Sequence, residues 1–130
     1  MSPSPLLAEE EPVRIEEFVV ETRQCVDPDH PVFAGHYPRF PLLPGVFLVD
    51  AVHRAVLRHA AERGLAAPRL AEVGSVRFAA PVLPGDTLTV ECTVTAVDGG
   101  WAVRAGCRTG RGKTATMRLR YAKPADRERG

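Results

Sequence analysis

Two periodicities divide this chain. Between Val46 and Arg63 apolar residues recur at helical spacing: counted at 100° per residue, Val46, Leu48, Val49, Val52, Ala55, Val56 and Ala60 form one broad stripe. Asp50, Arg54, Arg58 and Glu62 descend the other side in four-residue steps. Pro44 has the fixed φ suited to a first helical turn and Gly64 is the next breaker, so the pattern predicts a helix of about twelve to twenty residues. Past the Gly/Ala/Pro break at 64–68 the period falls to two and stays there.

Leu70–Phe78 reads as a strand, and Pro81–Asp86 as a turn. In Thr87–Val97, Leu88, Val90, Cys92, Val94 and Ala96 alternate with threonines and Glu91. Asp98-Gly99-Gly100 supplies positive-φ residues for a hairpin into Trp101–Arg108, and Thr109–Gly112 turns the chain into Lys113–Tyr121. These four segments predict an antiparallel meander with one covered face, and the long helix is the available cover. Val13–Thr22, dense in β-branched and aromatic residues, predicts a further strand. The expectation is an α+β domain over 13–122, a curved antiparallel sheet around one mostly apolar helix. A flexible lead-in over 1–12 and a charged tail over 123–130 flank it.

Length and charge narrow the picture. A chain of 130 residues suits one domain. With 17 basic and 16 acidic residues no global field draws nucleic acid or an anionic membrane. Met1–Pro12 holds only Leu6-Leu7-Ala8 as an apolar run before three glutamates, unlike a signal peptide or a membrane span, so a cytoplasmic location is expected. Cys25, Cys92 and Cys107 lack metal-site spacing and read as thiols of a reducing compartment. Neither a metal nor a cofactor is expected.

Chemistry concentrates in 35–52. Five prolines between Cys25 and Pro44 stiffen a long loop, and His36 sits in it between Gly35 and Tyr37-Pro38. A held imidazole is a candidate general base. Gly45 falls at the helix start, where unpartnered backbone N–H groups and the macrodipole can meet a developing oxyanion. Asp50 follows roughly 7–8 Å along the axis. Base, oxyanion donor and acid are the parts for taking a proton α to a carbonyl and expelling a β-hydroxyl. The residues alone leave plainer readings open. Asp50 and Arg54 fit an ordinary i,i+4 surface ion pair worth about 0.2–0.5 kcal/mol, and Pro44-Gly45 fits simple helix-start punctuation. His30, His53 and His59 read as structural or exposed.

The run Gly35-His36-Tyr37-Pro38, then Pro44-Gly45-Val46, then Asp50 fourteen residues after the histidine resembles the β-hydroxyacyl-acyl carrier protein dehydratases of the hot-dog fold. Ser75–Leu88 is similar to that family's strand-turn-strand segment. The resemblance spans about residues 13–121. It implies a sheet wrapped around the helix and a dimer whose sheets join edge to edge, with the histidine of one protomer facing the acid of the other. It further implies that His36 takes the α-proton, Asp50 protonates the leaving hydroxyl, and the Gly45 N–H holds the thioester carbonyl. The substrate would be a 3-hydroxyacyl chain on an acyl carrier protein in fatty-acid or polyketide-type synthesis. Arg39, Arg69 and Arg77 are the candidate contacts to that carrier.

Three positions depart from the family pattern. Asp50 replaces the glutamate of the plain dehydratase branch, Arg54 stands where glutamine is common, and Arg39 where glycine is usual. A guanidinium one turn from Asp50 would favour the ionised acid and modulate its proton delivery. Two alternatives follow: a hot-dog acyl thioesterase or coenzyme A hydratase using the same pocket, and a non-catalytic subunit of a heterodimeric dehydratase. A homodimer, a heterodimer with a second hot-dog chain and a higher oligomer are all compatible with the residues.

Overall fold

The computed structural model describes residues 11–15 (backbone only), 18–29 and 45–124. Its elements in chain order are β1 (Glu11–Ile15), β2 (Val19–Cys25), α1 (Val46–Glu62), β3 (Arg69–Phe78), β4 (Thr87–Val97), β5 (Gly100–Thr109) and β6 (Gly112–Ala122). The strands form one six-stranded sheet in the order β1-β2-β4-β5-β6-β3, and every neighbouring pair is antiparallel.

Two sequence expectations are corrected. The single strand expected over Val13–Thr22 is two strands paired with each other, Glu11 opposite Arg23 and Ile15 opposite Val20. The two glutamates at 16 and 17, which interrupt the apolar pattern, fall between them. The expected four-strand meander holds only for β4, β5 and β6. β3 joins the far side of β6, and β2 takes the place beside β4. Alternation reports which face a side chain takes but not which strand lies next to it.

The sheet's inner face is assembled from the alternating apolar positions. Val20 on β2, Leu88, Val90 and Cys92 on β4, Val103, Ala105 and Cys107 on β5, and Ala115, Met117, Leu119 and Tyr121 on β6 are all buried. α1 lays Leu48, Ala51, Val52, Ala55, Val56, His59 and Ala60 on that face, with its main contacts to β4 and β2. Each of its buried Leu and Val side chains contributes about 1.5–3 kcal/mol. Val46, expected on the apolar stripe, is exposed, and His59 is buried. None of the three cysteines is in a disulfide. Burial pushes the Cys107 thiol up to about 12, which keeps it protonated and inert.

Loops at one end are clamped by Asp86. Its carboxylate accepts two hydrogen bonds from the Arg111 guanidinium, at 2.7 and 2.6 Å, and one from the Leu83 N–H at 2.7 Å. The arginine bonds hold the carboxyl below its ordinary 3.8, against the opposing effect of burial, with the Leu83 bond adding to them. This ties the β3–β4 connection to the β5–β6 hairpin.

Candidate active site

The site begins at the N-terminus of α1. Gly45 is the N-cap, with helical backbone angles (φ −59°, ψ −26°), so no positive φ demands a glycine there. Space does. A Cβ on Gly45 would lie 2.6 Å from Cζ of Phe78, whose ring closes over the helix start from the end of β3. Among the described residues no side chain caps this end and no acidic residue occupies its first turn, so it presents the positive end of the macrodipole, which favours an anionic oxygen.

Asp50 lies one turn further along, its side chain 40% exposed. Arg54 Nε sits 2.9 Å from its Oδ2, and the arginine is 39% exposed. The structure therefore forms the i,i+4 ion pair that the spacing allowed, at a half-open position where such pairs are weak.

From Phe78 back along β3, apolar side chains stay exposed among the described residues. By strand register Leu70, Val73, Val76 and Phe78 of β3 stand opposite Tyr121, Leu119, Met117 and Ala115, and so share the inner face with them. The β6 residues are sealed, yet Val73 is 46% and Phe78 57% exposed. α1 is set toward β2 and β4, so it leaves this shelf open. β3 is also the sheet's edge, with β6 its one partner among the described residues.

Three residues past Asp50 begins a pair that the sequence did not announce. His53 Nδ1 lies 2.7 Å from the Tyr121 hydroxyl, and the two rings are within 8° of parallel with centroids 5.7 Å apart. The partners are 68 residues apart in sequence, so no local pattern could have linked them. A separate apolar cavity of about 110 Å³ lies toward the other end of α1, between Val56, His59 and Ala60 and the Val94–Trp101–Tyr121 corner.

His36 and Arg39 lie outside the described residues. Gly45, Asp50 and Arg54 share the first two and a half turns of α1. Arg69 and Arg77 are exposed at opposite ends of β3, roughly 26 Å apart at strand spacing, and are not brought together. Phe78, His53 and Tyr121 join the site from structure alone.

Comparison with known proteins gives the family and the fold. The ApeI-like family, described as ApeI dehydratase, matches residues 12–117. The 3-hydroxyacyl-acyl-carrier-protein dehydratase FabZ of Solibacter usitatus (strain Ellin6076) is 34% identical over 104 residues, 77% of this chain and 64% of that protein. The FabZ of Clostridium perfringens (strain SM101 / Type A) is 33% identical over 114 residues, 85% of this chain and 82% of that protein. The chain thus spans just under two thirds of the first relative and about four fifths of the second. Among solved structures, the dehydratase heterocomplex ApeI:P from Xenorhabdus doucetiae superposes with a TM-score of 0.64 at 22% identity, covering 89% of this chain and 100% of that one. That likeness carries the fold, a sheet wrapped on one helix as hot-dog proteins have it.

Proposed function

The chain belongs to the ApeI-like dehydratase family, and from that premise we propose that it removes water from a 3-hydroxyacyl chain tethered to an acyl carrier protein. The product is the trans-2-enoyl thioester, made in the cytoplasm for fatty-acid or polyketide-type synthesis. One observation carries the reading: Asp50 is half open on α1, one turn past an uncapped helix N-terminus and beside an uncovered apolar shelf.

In this reading His36 takes the proton from C2 as general base. The Gly45 N–H, at the positive end of α1, holds the thioester oxygen as charge builds on it. The C2–H bonding pair becomes the new double bond, and the C3–O pair leaves with the oxygen. Asp50, directly or through water, supplies the proton that completes the departing water. Arg54 must turn from Asp50 for that delivery, since an ion-paired carboxylate only accepts.

The open shelf and free edge of β3 are where a second hot-dog chain would join, bringing its His36 loop to this Asp50. The carrier is met by Arg39, Arg69 and Arg77; the latter two stand on the exposed edge strand.

Loss of water from a carrier-bound 3-hydroxyacyl thioester, read as enoyl absorbance, tests the proposal. Turnover should vanish in His36→Ala and fall about 10²–10⁴-fold in Asp50→Asn. Wild-type protein inert toward every carrier-bound 3-hydroxyacyl chain would overturn it. The Asp50–Arg54 ion pair favours one second reading, a subunit whose own acid is silent and whose partner supplies the chemistry. Activity that appears only with a second hot-dog chain, and survives Asp50→Asn, would decide for that reading.

A further inference from the structure

The His53–Tyr121 pair does more than fill space. Tyr121 is among the largest fully enclosed side chains of the core. Burial first, and the neighbouring Cys92 second, push its phenol well above the usual tyrosine range, so the hydroxyl keeps its proton. Among the described residues His53 Nδ1, at 2.7 Å, is the hydrogen-bond partner of this buried hydroxyl, so the tautomer that leaves no buried O–H unpaired has the hydroxyl donating and Nδ1 accepting, with the imidazole's own proton on Nε2. The stacked phenol also fixes the ring plane.

Satisfying a buried tyrosine hydroxyl requires only Nδ1. Nε2–H is then a spare donor of fixed direction on a half-buried side chain, with no partner among the described residues. Two placements say where it works. His53 is three residues after Asp50, so their Cβ atoms are about 5–6 Å apart on one helix face. Tyr121 in turn stands opposite Leu70, on the row where the sealed inner face gives way to the open shelf of β3. The donor thus borders both the acid and the apolar surface.

Resting on the dehydratase reading, we propose that His53 contacts the substrate: its Nε2–H donates a hydrogen bond to the oxygen on C3 and holds that oxygen toward Asp50. No proton leaves His53. As the C3–O bond breaks with its pair on oxygen, this bond strengthens, while the proton that completes water comes from Asp50.

The test uses two amides. His53→Asn keeps an acceptor where Nδ1 was, and so the Tyr121 bond, but has no N–H at the reach of Nε2. His53→Gln carries an N–H at that reach. Calorimetry on the full-length protein with a non-hydrolysable 3-hydroxyacyl pantetheine amide should show about tenfold weaker binding to His53→Asn and near wild-type binding to His53→Gln. The analogue lacking the 3-hydroxyl should bind all three proteins alike. Turnover of the thioester should follow the same order, mainly through kcat. If His53→Asn binds the hydroxylated analogue as tightly as wild type, or prefers it over the deoxy analogue as strongly as His53→Gln does, the inference falls. These binding measurements stand whether or not the wild type turns over, so failure here is distinguishable from failure of the dehydratase reading.

Discussion

β6 and β3 run side by side, and three of their four inner-face pairs are sealed on the first and open on the second, Val76 opposite Met117 being partly packed on the core. Leu119 is 3% exposed while its partner Val73 is 46% exposed. Tyr121 and Ala115 are buried, while Leu70 and Phe78 opposite them are not. Composition does not separate the strands, since both carry apolar residues at every inward position. Coverage does: α1 packs chiefly on β4 and β2, so the core closes at β6. The shelf beyond it is apolar surface held in place by the sheet but not needed to hold the monomer together, the kind of surface that marks an interaction or ligand site.

Substitutions on the two sides should separate stability from function. The largest effect is expected at Gly100, where an added Cβ would lie 1.8 Å from the Tyr121 carbonyl oxygen. Backbone is in the way rather than a movable side chain, so Gly100→Ala should destabilise by at least about 3 kcal/mol or abolish folding, as urea denaturation would show. Next, Leu119→Ala on the sealed side should cost about 2–5 kcal/mol. Val73→Ala across from it should change monomer stability by less than about 0.5 kcal/mol and instead weaken self-association or substrate binding. Equal destabilisation by the two would mean that the shelf is core.

Much of this contrast was beyond sequence pattern. The helix, the alternation of β4 to β6 and their two tight turns were legible because each reflects a local period. β3 was harder, because register shifts between Leu70 and Glu72 and between Val73 and Ser75 place its inward residues at 70, 73, 76 and 78 rather than at every second position. Its position beside β6 was illegible, since alternation holds no record of neighbours. In the site, the Asp50–Arg54 contact could be read from a four-residue step. The Phe78 ring over Gly45 and the His53–Tyr121 bond depend on the sheet's long-range register and could not.

Smaller effects sharpen the comparison further. If Asp50 delivers a proton, Arg54→Gln should raise kcat several-fold, on the order of 3–10, by freeing the Asp50 side chain from its ion pair so that it can turn to the substrate. A loss of activity would instead make Arg54 part of the machinery. The smallest effect concerns the clamped loops on the sealed side. The Asp86 carboxyl is held below its ordinary 3.8, so its stabilisation is present above about pH 4 and is lost as pH falls through the lowered folded value. Arg111→Ala should lower Tm by roughly 2–4 °C at pH 7. That difference should begin to shrink as the pH is taken below the ordinary carboxyl value of 3.8, a loss that thermal melts across the range would register.

The most direct measurement mixes two dead proteins. His36→Ala and Asp50→Asn, each inactive alone, are unfolded together and refolded at equal amounts, and dehydration of a carrier-bound 3-hydroxyacyl thioester is assayed. If the site is completed across the open edge of β3, half the dimers hold one intact site of two, and about a quarter of wild-type activity returns. A mixture that dimerises yet stays as inactive as its parents would place base and acid within one protomer and contradict a shared site.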